Sequence, residues 1–349
     1  MGLKRIISFV IILGFLTGIL IYFRQRNPAA PTLRVCTWSN YFPESAIKSF
    51  IDTTGIKVEI SYISSNEELF AKLKAGATGF DIVQPSDYMV RQMKALAMLS
   101  KLDRSLLPHL VHLDEYYRKL PYDFGNEVSV PFTWGTSGIA VNTAKVKIPV
   151  DGVSWSLLLD AGYTRQTSLL DDMREVFAGV LLWKNLSPNT TNLKLLEETK
   201  LEISKIKNRV LLFSSEPKPL LLREEVLIAH IYSSDAVQAN AENPNIKFFI
   251  PKEGGLLWTD NFAIPESSQH KAQAHAFIDY FLTPANALAV VRQSHLATPN
   301  RTVKLMLSGA EQNDPNIYPP PAIFNKLFFL DDLGETLSVL NRMWTELKS

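Results

Sequence analysis

From Leu33 onward the sequence switches back and forth between two hydrophobic periods, and this constrains the fold more than any other feature. LRVCTW (33–38) reads as a strand. PESAIKSFIDTTG follows as a helix: Pro43 suits its first turn, Ile47, Phe50 and Ile51 make an apolar stripe, and Gly55 suits its stop. IKVEISYI (56–63) alternates as a strand does, EELFAKLKAG (67–76) returns to the helical period, and FDIVQPS (80–86) is a short apolar strand ending in a turn. A β-α-β-α-β run of this kind predicts a parallel, doubly wound sheet. In such sheets ligands sit beyond the C-terminal ends of the strands, where Trp38–Tyr41 and Ser86–Tyr88 fall.

A second α/β set follows. Strands are predicted at 136–142, 168–170, 208–213, 225–232 and 245–251, with helices at 172–182, 192–207, 271–282, 285–294 and 334–348. At 349 residues the chain has room for two such units. No repeat is present, and no GxGxxG or GxxxxGK[ST] loop marks a nucleotide site.

The N-terminus has a different character. Ile6 to Phe23 is an uncharged apolar run of eighteen residues, with Lys4 and Arg5 before it and Arg24 and Arg26 after it. It is longer than a usual secretory core and just long enough to span a bilayer. Residues 1–30 therefore read as a signal peptide or uncleaved signal anchor plus linker, exporting the globular part of the chain. The sole cysteine, Cys36, excludes an intrachain disulfide and a cysteine-based metal site. The formal charge of the whole chain is +1. Setting aside the four flanking cations leaves 36 − 4 = 32 basic residues against 35 acidic ones, a net of about −3. No basic stripe is present to bind nucleic acid.

Three segments bear side chains suited to a site. WSNY places Trp38 and Tyr41 at a strand end. LLDDMREVF puts Asp172 and Glu175 at a helix start, where they also fit a capping box. KEGGLLWTDNFAIP puts Trp258 and Asp260 two apart, on one face of a regular strand. Carboxylates spaced along flat apolar walls are what a linear polyamine needs. Aromatic faces cover its methylenes and attract its ammoniums, at ~0.5–2 kcal/mol each. Charge-assisted hydrogen bonds to carboxylates are stronger than neutral ones.

With these segments in order, the chain resembles the spermidine/putrescine-binding proteins of bacterial ABC transporters. The matching stretches are WSNYFPESAIKSFIDTTGIKVEISYISSNEELFAKLKAG, FDIVQPSDYMV, VPFTWGTSGIAVN, LLDDMREVF, KEGGLLWTDNFAIP and ATPN (297–300). The resemblance implies a two-lobed α/β fold, the type II periplasmic binding protein fold, hinged by crossing strands. One lobe would comprise 31–135 and 259–304, the other 136–258 and 305–349. It also implies a ligand site of Trp38, Tyr41, Ser86, Tyr88, Asp172, Glu175, Tyr232, Trp258 and Asp260, with no cofactor, metal or catalytic residue. A monomeric periplasmic protein delivering polyamine to an inner-membrane permease is the implied function. Tyr232 stands where the family commonly has tryptophan, Leu296 where an aromatic precedes the TPN motif, Leu330 near an expected glutamine, and Asn40 where some members are acidic. These departures leave the preference between spermidine and putrescine open. The alternatives are another cationic or amino-acid-like solute, or a hydrolase using Asp172 and Glu175 as its acid pair. That pair lies side by side on one helix, whereas glycosidases set two carboxyls ~5–9.5 Å apart across a bond.

Overall fold

The computed structural model describes residues 31–39, 41–76 and 79–349. The expected signal or anchor segment, residues 1–30, and Asn40 lie outside the described residues. Among the described residues no helix is long and apolar enough to cross a membrane.

The first α/β run forms as its periodicity requires. β1 (Thr32–Thr37) lies between β2 (Lys57–Tyr62) and β3 (Ile82–Val83), parallel to both. Helix α1 (Glu44–Thr54) stops at Gly55, whose φ of 72° is a left-handed cap that favours glycine. Phe50 from α1 is fully buried in a cluster with Leu33, Val35, Ile82, Phe262, Phe277 and Phe281. Helix α2 (Asn66–Lys74) begins at Ser65, whose hydroxyl accepts from the Glu68 amide. Helix α3 (Asp87–Ala95) follows β3 after a three-residue turn.

Two long strands then carry the architecture. β4 (Ser129–Asn142) is buried along all fourteen residues. Its first half runs antiparallel to β9 (Gly255–Ala263), from Ser129↔Ala263 to Ser137↔Leu256. The register slips between Pro131 and Thr133, where proline has no N–H to give the ladder. Its second half pairs with β7 (Ile228–Tyr232) and β8 (Ile246–Phe249). β5 (Thr167–Leu170) runs parallel to β7 and to β6 (Leu212–Ser214). The resulting order is β2-β1-β3-β9-β4-β7-β5-β6, with β8 on β4 and β10 (Leu327–Phe329) on β9. This is a two-lobed α/β fold in which β4 and β9 cross from one lobe to the other.

Helices α4 (Met173–Trp183), α5 (Leu193–Lys207), α6 (Pro217–Leu222) and α7 (Ser233–Glu242) flank the β5–β7 side. α8 (Lys271–Leu282) and α9 (Pro284–Ser294) precede short helices α10 (Arg301–Met306), α11 (Gly309–Gln312) and α12 (Pro321–Phe324). The last helix, α13 (Thr336–Lys348), packs on α5. The strand predicted at 208–213 is shorter than the pattern suggests. Val210 N still bonds Ile206 O at 3.0 Å in the helical manner, so extended backbone starts only at Leu212.

Candidate functional site

Asp260 lies on β9 opposite Thr133, and the turn after β3 reaches it through a Ser86↔Asp260 bridge. Ser86 Oγ donates to Asp260 Oδ1 at 2.7 Å, and the Tyr41 hydroxyl donates to Oδ2. Asn66 at the start of α2 holds Ser86 in place, accepting from its amide at 2.9 Å and donating to its hydroxyl at 3.1 Å. Asp260 is 3% exposed. Burial raises its carboxyl to about 6, against the pull of the Tyr41 and Ser86 hydrogen bonds. Next to Ser86, the buried Asp87 accepts from the Thr259 amide at 3.0 Å and from the Tyr88 amide at 2.7 Å. Those two bonds tie α3 to β9, and burial pushes Asp87 up to about 8 despite them.

A second group comes from the start of α4. Asp172 caps the helix: its Oδ1 accepts from the Glu175 amide at 3.1 Å. The reciprocal arm of a capping box is not made. Glu175 turns its Oε1 instead to Ser137 Oγ on β4, at 2.8 Å. Asp172 Oδ2 accepts from the Tyr232 hydroxyl at 3.4 Å. Burial first, then the neighbouring charges of Glu67 and Glu175, raise Asp172 to about 7. Between the two groups stand the aromatic walls. Tyr232 and Trp258 meet edge to face, with centroids 5.7 Å apart. Tyr88 donates to Glu67 Oε1 at 3.1 Å, and the Arg174 guanidinium lies 5.0 Å from the centre of its ring.

Trp38, Tyr41, Ser86, Tyr88, Asp172, Glu175, Tyr232, Trp258 and Asp260 all line one cavity of about 430 Å³. All nine residues singled out from sequence are thus brought together. Leu296 and Leu330 line the same space and make part of it apolar. Among the described residues no cluster of three or more histidine, cysteine or acidic side chains has the arrangement of a metal site.

Residues 45–319 match the family described as bacterial extracellular solute-binding protein. The chain belongs to the bacterial extracellular solute-binding proteins. It is 34% identical over 324 residues to the spermidine/putrescine-binding periplasmic protein 1 of Haemophilus influenzae, covering 92% of this chain and 90% of that protein. A solved chain from Listeria monocytogenes superposes with a TM-score of 0.87 at 33% identity, covering 91% of this chain and 99% of that one. The spermidine/putrescine ABC transporter substrate-binding protein PotD of Streptococcus pneumoniae gives 0.76 at 28% identity, with 91% and 99% covered.

This solute-binding protein also brings to the site residues that its sequence patterns did not mark. Asp235, in the first turn of α7, lines the cavity and has no hydrogen bond or ion pair among the described residues. Burial raises it to about 6. Its sequence position looks like any acidic residue complementing a helix N-terminus, so spacing could not separate the two roles. Arg174 is 2% exposed and donates to the Asp331 carbonyl at 2.9 Å. It sits inside the LLDDMREVF motif, yet a helical arginine gives no sign of facing inward.

Proposed function

We propose that this solute-binding protein captures a linear polyamine of the spermidine or putrescine kind and hands it to an inner-membrane ABC permease. It acts outside the cytoplasm as a monomer, exported by residues 1–30, and catalyses no reaction. One observation carries the reading: a single cavity is lined by Asp172, Glu175 and Asp260 together with Trp38, Tyr41, Tyr88, Tyr232 and Trp258. Three carboxyl groups there, Asp172, Asp260 and Asp235, are raised to about 7, 6 and 6 by burial. An ammonium placed among them offsets that cost, because it supplies a charge partner in place of the water that burial removed. Asp172 and Glu175 share one helix start, which suits gripping one amine and not flanking a scissile bond.

The lobes are assigned as 31–135 with 259–304 and 136–258 with 305–349. Support comes from the register, since Gly135 pairs with Trp258 and Trp134 with Thr259, so both strands cross at one level. Closure about these strands would bring the Asp260 and Asp172 groups onto one ligand.

Thermal unfolding with a ligand panel tests the reading. Spermidine or putrescine at about 100 times its Kd should stabilise the protein by about 2.7 kcal/mol and raise the midpoint by about 4 °C. An amino acid and a sugar should leave it unmoved. A shift with the amino acid and none with either polyamine would transfer the site to the other solute class.

A further inference from the structure

Behind the cavity wall, β7 carries a histidine that the ligand cleft does not itself expose. His230 is 1% exposed, on a strand of otherwise Ile, Ala and Tyr. Its Nε2 lies 3.3 Å from Glu175 Oε2. The other Glu175 oxygen is held by Ser137 at 2.8 Å. Glu175 is itself 4% exposed and lines the cavity. Neither Glu175 Oε2 nor His230 Nε2 forms a hydrogen bond among the described residues, so the two approach closely but off line. Among the described residues, the other side chains lining the small space at the imidazole are uncharged. Trp155 meets it edge on at 4.9 Å, and β4 pairs with it through Ile139. β5 brings Ser168 beside the neighbouring Ala229, and Val176, Gly179 and Val180 of α4 line the small space behind the ring. Glu175 is the one ionisable group facing His230 among these elements, and Asp172 faces Glu175 in turn.

We infer that His230 is a positioning residue that links proton uptake to release of the cationic ligand from Glu175. The inference rests on the polyamine reading of the cavity. With the imidazole neutral, a ligand ammonium meets no competing cation at Glu175 Oε2. When the imidazole takes a proton from solvent, two cations compete for one carboxylate in a site of low dielectric. Ser137 holds Oε1, so the competition falls on Oε2. The ammonium leaves to be hydrated, and the imidazolium remains at ion-pair distance. Linkage makes the effect reciprocal: ligand must lower the proton affinity of His230 as much as the proton lowers ligand affinity.

The test is the pH slope of spermidine affinity in the full protein and in His230→Gln, from about pH 8 to about pH 5.5. Glutamine keeps a side-chain N–H near Oε2 but does not titrate. Asp172 and Asp260 titrate in both proteins, so their share of the slope cancels. Wild type should lose about tenfold more affinity over this range than the variant. Equal slopes would overturn the inference, and a purely structural histidine would give that result, lowering affinity by one factor at every pH. If His230→Gln does not fold, nuclear magnetic resonance of the wild-type imidazole replaces it. Ligand should move the His230 titration to lower pH, and an unmoved titration overturns the inference. Absence of spermidine binding by wild type at every pH would reject the polyamine reading itself, and this inference with it.

Discussion

At Asp260, near-complete burial and two hydroxyl donors act on one carboxyl in opposite directions. Its value of about 6 exceeds the ordinary 3.8, so the folded protein holds this proton more tightly than the unfolded chain does. The stability this contributes is full below about 3.8 and is lost as pH rises through about 6. Above that, the buried charge costs about 3 kcal/mol at most in the ligand-free protein. Asp260→Asn should therefore have effects of opposite sign. At about pH 8 it should raise the ligand-free midpoint by about 2 °C while weakening polyamine binding by about 2 kcal/mol, roughly thirtyfold. Calorimetry and titration on the same sample check both, and affinity equal to wild type would remove Asp260 from the site. Asp260 was legible in the sequence because Trp258 and Asp260 share a strand face within a distinctive motif. His230 was not, because a lone histidine among apolar strand residues reads as core, and its contact with Glu175 depends on β7 lying beside β4.

At the scale of elements, β9 puts Trp258 and Asp260 into the cavity wall and β4 pairs with it from behind, and the two strands were only partly legible. The sequence pattern marks 136–142 as a strand but not 129–135, because Pro131 and Trp134–Gly135 interrupt a simple alternation. The antiparallel ladder with β9 carries the strand through that interruption, and only tertiary pairing decides that. Gly135 has a specific job in this ladder. A Cβ there would stand 2.5 Å from Trp258 Cζ2 and 3.1 Å from Ser233 Oγ, so the indole wall rests directly on glycine backbone. Gly135→Ala should tilt Trp258 away from the cleft and weaken polyamine binding by about 1–2 kcal/mol, the worth of one aromatic face against an ammonium. Trp258 fluorescence should change in parallel, and unaltered affinity and emission would show that the ring has room to accommodate the methyl. Helix α3 was also missed: DYMVRQMKA starts only three residues after β3, and its apolar stripe buries Tyr88, Met89 and Met93.

For the whole molecule, the β-α-β-α-β run from Leu33 foretold the order and parallel pairing of β1, β2 and β3. The order of motifs foretold which side chains would share a cleft. What could not be read was which side chains tie the C-terminal segment to the rest of the chain. Asp331, after β10, pairs with Arg91 of α3 at 3.1 Å and offers its carbonyl to Arg174, bridging segments far apart in sequence. Such partly exposed pairs are worth ~1 kcal/mol or less, so they orient the halves more than they hold them together. The attraction that closes the cleft is assigned instead to the ligand's charges. Isothermal titration with spermidine near pH 7.5 measures this most directly. The account predicts one ligand per chain, with affinity falling as pH drops through about 7 and then about 6, where Asp172 and Asp260 take up protons. No heat at about millimolar spermidine, or an affinity indifferent to pH across that window, would contradict it.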